Sequence, residues 1–257
     1  MADWLLDRRV LPWLVTLGVF LFWEGMVRTF NIAPFILPAP TLIAETLVAQ
    51  WEPILQHSMQ TLMTTLVGLG LAIGFGMLLG LAVGANEKVY VGLYPLLVAF
   101  NSIPKVALVP ILVIWFGIGS VPAILTAFLI SFFPIVVNIA TGLATVEPEL
   151  NDLMRSLRAD RITMLRKVGL PRTLPYFFAA LKVAVTLAFV GSVISETVAA
   201  NAGVGYMMMV AGSRFEVPLV FAGLVAVGAM GIVLYQMFEW LEKKLTFWAV
   251  RGHGSGY

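Results

Sequence analysis

Six long apolar stretches, with charges confined mainly to their ends, constrain this chain more than any other feature. They run approximately Leu11 to Phe30, Leu62 to Ala85, Leu93 to Phe116, Val121 to Ala144, Phe177 to Ala199 and Val217 to Leu241. A hydrocarbon layer about 30 Å thick is crossed by about 20 apolar helical residues, so each stretch is long enough to span it. The sequence therefore predicts an all-α integral membrane protein of about six transmembrane helices, organised as one domain over residues 1–257. With 60% hydrophobic and 12% charged residues and a mean hydropathy of +0.95, the chain has too few charges to cover a water-facing surface of this size. Lipid is the expected solvent.

The basic residues set the expected orientation. With the N-terminus in the cytoplasm, Arg8, Arg9, Lys88, Arg155, Arg158, Arg161, Arg166, Lys167, Arg172, Lys243, Lys244 and Arg251 fall inside, and only Arg28 and Arg214 outside. Both termini are thus expected in the cytoplasm, and the positive charge serves topology rather than nucleic-acid binding. No small-residue cleavage pattern follows the first apolar run, so that run is expected to be retained. The chain has no cysteine, and His57 and His253 lie far apart, which argues against a metal centre.

Several features inside the spans bear on packing and transport. Gly68, Gly70, Gly74, Gly76, Gly80 and Gly84 predict a helix face that admits close approach of another helix, in the same subunit or in a second one. Pro104 and Pro110, with Lys105 between them, predict a broken third span whose freed backbone must face protein or water. Asn101 and Ser102 at that break are candidate path residues; they equally suit an interrupted backbone. Glu196, beside Ser195 and Thr197 near the end of the fifth stretch, would be costly against lipid. It reads either as a lining or gate residue of a translocation path or as a structural acceptor for the glycine-containing loop that follows. Glu24 is expected to pair with Arg28 one turn on. Pro38 and Pro40 predict an extended entry to a short helix from Leu42 to about Gln50, with Thr41 as its cap.

The longest cytoplasmic connection, residues 147–175, is dense in arginine and reads as two short helices. Leu150, Leu153, Met154 and Leu157 form one apolar stripe, and Ile162, Leu165 and Val168 a second after a cap at Asp160, with Gly169 and Pro171 closing the second helix. Such stripes mark a buried face without naming what buries it: a soluble partner or the bundle itself.

The run from Asp152 to Pro171 resembles the cytoplasmic motif of ABC importer permeases, written Glu-Ala-Ala, three residues, Gly, nine residues, Ile-x-Leu-Pro. Asp152 stands at the Glu position, Leu153 and Met154 at the two Ala positions, Arg158 at the Gly position, Val168 at the Ile position, and Leu170-Pro171 at the terminal pair. Ile36 to Pro40, Ser102 to Pro110, Trp115 to Gly119 and Glu196 to Tyr206 are similar to the nitrate, sulfonate and taurine permease group. The resemblance implies a type I ABC importer permease fold with a cytoplasmic coupling helix in a bacterial inner membrane. It also implies a homodimer working with two ATP-binding subunits and an extracytoplasmic binding protein. Asp152, Arg155, Ser156, Leu157, Arg158, Ala159, Asp160 and Arg161 then become the expected ATPase-docking residues.

The chain has no Gly-x-x-x-x-Gly-Lys-Ser/Thr loop, so ATP and its magnesium ion are expected on the partner and no cofactor on this chain. The implied cargo is a small polar or anionic solute such as nitrate, a sulfonate or taurine, with a thiamine-precursor pyrimidine as the alternative. An intramembrane enzyme would need a nucleophile and base at one depth, and no such set is evident. A passive channel would need no docking segment.

Overall fold

A computed structural model describes residues 10–145 and 148–246, and helices are the regular elements found there. In chain order they are α1 (Leu11–Thr29), α2 (Pro40–Ala49), α3 (Trp51–Gly84), α4 (Glu87–Ser102), α5 (Val109–Phe116), α6 (Ser120–Ala144), α7 (Pro148–Ser156), α8 (Arg161–Met164), α9 (Leu170–Ala199), α10 (Val204–Ser213) and α11 (Val217–Leu245). Five helices are long and apolar enough to cross a membrane, and α4 with α5 makes a sixth span bent by 71°. The break between them holds a single tight turn, Lys105–Leu108, as the two prolines require.

Two spans are longer than hydropathy alone predicts. The third helix begins at Trp51 rather than near Leu62: its first turns carry the exposed Glu52 and Gln56, and Ile54, Ser58 and Thr61 are the residues there that it buries. The helix that ends at Ala199 begins at Arg161: α8 passes through one wide turn, Leu165–Gly169, directly into α9. Gly169 and Pro171 therefore do not close a helix, contrary to expectation. The wide turn precedes Pro171 and accommodates its ring and missing N–H, while the Thr173 hydroxyl donates to the Gly169 carbonyl at 2.7 Å. The run Ile162–Ala199 is 38 residues, about 57 Å of helix at the usual rise, so it extends well beyond a bilayer.

The core is built on α3, α6 and α9. Gly68, Gly76, Gly80 and Gly84, with Ala72 between them, form a four-residue repeat that lies on Ala127, Ile135, Ile139 and Ala140 of α6, making the two helices parallel neighbours. A Cβ at Gly68 would come within 2.6 Å of the Ile124 carbonyl oxygen. Gly70 and Gly74 leave this face: nothing lies near them, so only four of the six glycines make the contact. Across α6, Gly191 of α9 sits against the Ala127 backbone. A second apolar cluster, around Ile43, Ile54, Val204, Met207, Met208 and Ala222, joins α2, α3, α10 and α11 at one end of the bundle.

The first helix buries only Val27 and is tied to the rest through Glu24. Arg28 pairs with Glu24 at 2.6 Å, as expected. Thr41 does not cap α2 from its own side chain: Ala39 holds the cap position, and the Thr41 N–H and hydroxyl both donate to Glu24, at 3.0 and 2.8 Å. Pro40 presets the first turn without needing a donor, which leaves Thr41 to link the two helices. On the opposite side Lys182 of α9 pairs with Glu242 of α11 at 2.7 Å.

Candidate functional site

The α7–α8 connection, residues 157–160, forms a short tip between two helix ends. Residues 146 and 147 lie outside the described set, as do the side chains of Arg155 and Arg161, so the expected contacts of those two arginines are not placed. The connection ends α7 in a defined way. Leu157 N–H donates to the Leu153 carbonyl at 3.1 Å and Ala159 N–H to the Met154 carbonyl at 3.0 Å, while Arg158 takes φ 54°. This is a Schellman stop, which needs one residue in the left-handed region and usually recruits glycine there. Arg158 stands at the motif's Gly position and keeps that backbone conformation, at a cost of order 1 kcal/mol for its Cβ.

Asp160 then starts α8. Its Oδ1 accepts from the Thr163 N–H at 3.4 Å, and hydrogen bonding to Thr163 holds the carboxyl below its ordinary range. The turn and the helix ends beside it present apolar side chains that none of the described residues covers. Leu157 is 69% exposed, Ile162 60% and Leu153 54%, whereas Leu150, Met154, Leu165 and Val168 turn partly inward. The two expected stripes are thus split between the bundle and open surface. Asp152, Ser156 and Arg158 are exposed around Leu157, with Ala159 partly covered.

At the other end of α9 the structure assembles a buried polar cluster that the sequence showed only in part. Glu196 is 1% exposed. Its carboxylate accepts from the Thr61 hydroxyl at 2.8 Å, the Thr64 hydroxyl at 3.2 Å and the Gly205 N–H at 3.1 Å. The Thr61 oxygen also accepts from Val204 N–H at 2.7 Å, and His57 Nδ1 accepts from Gly203 N–H at 3.1 Å. Three successive backbone donors at the start of α10 are therefore held by side chains of α3 and α9. These are among the N–H groups that a helix start leaves without internal partners.

Gly203 has φ 108°, and a Cβ there would fall on the Glu196 carboxylate, so glycine is required twice over. His57, Thr61 and Thr64 were not singled out as a group, although their spacing places them on one helical face. The cluster has no ion pair and no metal-ligand set among the described residues. Its chemistry is positional: it fixes α10 against α3.

The other candidate path residues lie at the break of the third span. The Asn101 and Ser102 side chains are exposed, and Ser102 donates to the Val98 carbonyl at 3.1 Å. Lys105 is only 8% exposed and donates to the Asn101 carbonyl and Oδ1 at 2.7 and 2.6 Å. The Glu196 cluster and this break are separate sites.

Residues 72–247 match the family described as "Binding-protein-dependent transport system inner membrane component". Among curated relatives, a probable ABC transporter permease protein of Haemophilus influenzae is 33% identical over 94% of this chain and 99% of its own. The formylaminopyrimidine transport permease ThiX of Halalkalibacterium halodurans is 34% identical over 92% of this chain and 95% of its own. The taurine transport permease TauC of Escherichia coli is 30% identical over 95% and 92%. Inward-facing structures of the MetNI methionine ABC transporter include a chain that superposes with a TM-score of 0.67 at 20% identity, over 77% of this chain and 98% of that one. The chain belongs to the family of ABC importer permeases, the membrane-spanning components of binding-protein-dependent transport, and has their type I fold.

Proposed function

We propose that two copies of this chain form a translocation path in a bacterial inner membrane. The α7–α8 tip is cytoplasmic and each copy docks one ATP-binding subunit through Asp152 to Arg161. Both termini are cytoplasmic, and an extracytoplasmic binding protein delivers the solute at the α10 end. ATP and magnesium bind the partner subunit, which carries out the hydrolysis. The observation that carries this reading is the tip itself: exposed Leu153, Leu157 and Ile162 on a turn whose backbone follows the motif even with Arg158 at its Gly position. A water-facing tip gains nothing from such side chains unless a partner buries them.

Closure of the ATPase dimer would move the two tips. Through the unbroken α8–α9 helix, that motion would reach Glu196 and the start of α10 at the far end. It biases the permease between inward- and outward-facing states to the extent that the two states dock with different free energy. Asn101 and Ser102 line the path at the break, and Glu196 governs its outer gate by holding α10. The solute is a small polar or anionic molecule, in line with relatives named for taurine and aliphatic sulfonates. The ThiX relative supports a formylaminopyrimidine-like solute as the second reading.

The test is Leu157→Asp, which would bury an unpaired charge in the docking groove. Because Leu157 is largely exposed in the permease, the variant should insert and pair normally yet lose co-purification with its ATP-binding subunit. Normal co-purification and normal transport would show that the tip is not the docking site.

A further inference from the structure

Among the described residues Lys105 is a buried cation without a carboxylate partner. Lys182, the other partly buried lysine of the described spans, has such a partner in Glu242, and the exposed Arg28 and Lys243 pair with Glu24 and Glu239. Around Lys105 Nζ the described structure offers two neutral oxygens of Asn101, at 2.7 and 2.6 Å, and the rings of Phe100 and Phe133, each with its centroid at 5.8 Å. An ammonium has three donors, and these contacts use two. Such a surround holds the cation in place and, although the end of α4 offsets part of its charge, supplies no carboxylate to cancel it.

The position of this charge matters as much as its surround. It sits at the 71° bend of the broken span, where it donates to a carbonyl in the last turn of α4. Broken backbone of this kind is not stable against hydrocarbon, so the exposed side of the bend, with Asn101 and Ser102, faces a second protein surface or water. Broken spans are also where transporters commonly hold charged cargo; since the C-terminal end of α4 repels an anion, any attraction for one at this bend falls to the ammonium itself.

We propose that Lys105 is the residue that selects for the anionic group of the solute, a sulfonate- or carboxylate-sized anion, as it passes the bend. The inference rests on the reading of Asn101 and Ser102 as path residues and adds the charge that sets the cargo's sign. Asn101 positions the ammonium, and the third N–H is the one offered to the anion. Replacing Lys105 would change which solutes enter rather than whether the ATPase docks.

Because the chain contains no cysteine, Ser102→Cys places a single thiol at the bend. In vesicles containing the complete transporter, that thiol is treated with ethylsulfonate methanethiosulfonate, itself a small sulfonate, and with its trimethylammonium counterpart. Modification is read by mass on the permease chain. The anionic reagent should react faster. Adding Lys105→Met should lower the anion-to-cation rate ratio about tenfold, and Lys105→Arg should preserve it. If the Met variant fails to assemble with the ATP-binding subunit, Lys105→Gln, which keeps a donor to Asn101, should give the same drop. A reactive thiol with an unchanged ratio would refute the role of Lys105 alone. A thiol that neither reagent reaches in any nucleotide state would refute the path assignment itself.

Discussion

Replacing Glu196 separates shape from charge in the α10 clamp. In Glu196→Ala the Thr61 and Thr64 hydroxyls keep alternative acceptors, the His57 carbonyl at 3.2 Å and the Thr61 carbonyl at 3.0 Å. The Gly205 N–H keeps none, and an orphaned buried donor costs about 1–3 kcal/mol. The missing side chain also leaves a cavity, which at roughly 24 cal/mol per Å3 adds on the order of 1 kcal/mol. A loss of roughly 2–4 kcal/mol follows. Glu196→Gln can still accept from Gly205 N–H through its carbonyl and donate its amide to Thr64, so it should cost about 1 kcal/mol or less. The assay is hydrogen exchange at the start of α10 in detergent-solubilised protein, with the thermal midpoint alongside. Exchange at Val204 and Gly205 should rise at least tenfold in the Ala variant and stay within a few-fold of wild type in the Gln variant. Protection in Glu196→Ala equal to wild type would refute the clamp, and collapse of Glu196→Gln to the Ala level would show that the charge itself is required.

Two further outcomes follow from the tip and the span order. Arg158→Gly should keep the Schellman stop while removing Cβ strain, raising stability by about 0.5–1 kcal/mol without loss of ATPase co-purification; a lower thermal midpoint would mean that the arginine side chain holds the turn. Single cysteines at Ser120 and Ser213 should react with impermeant reagents from outside and one at Ser156 only from inside, and the reverse pattern would overturn the orientation.

The parts of this fold that were legible in the sequence are those that depend on local chemistry. Apolar length marked the spans, Pro104 and Pro110 marked the broken one, and Asp160 marked a helix start. The Glu24–Arg28 pair followed from one-turn spacing. Contacts made across the bundle were not legible. Thr41 satisfies every local rule for a cap and instead binds Glu24, because Pro40 already sets the turn. Gly169 and Pro171 read as a helix stop, and only the wide turn ahead of them lets α8 run on into α9. The early turns of α3 read as too polar for a span because the partners of His57 and Thr61, Gly203 and Val204, lie about 140 residues away in the chain. Glu196 was visible as a costly acid, but its donors were visible only in three dimensions. Arg158 takes the left-handed conformation that glycine usually supplies at such a stop, which its residue type did not announce.

The central claim is that the α7–α8 tip is the mechanical contact with a separate ATPase, and a photo-reactive amino acid at Leu157 tests it most directly. Irradiation of the complete transporter in its membrane should give an adduct whose mass is one permease chain plus one ATP-binding subunit, with a yield that changes when ATP is bound. An adduct only with a second permease chain or with lipid, in every nucleotide state, would contradict it.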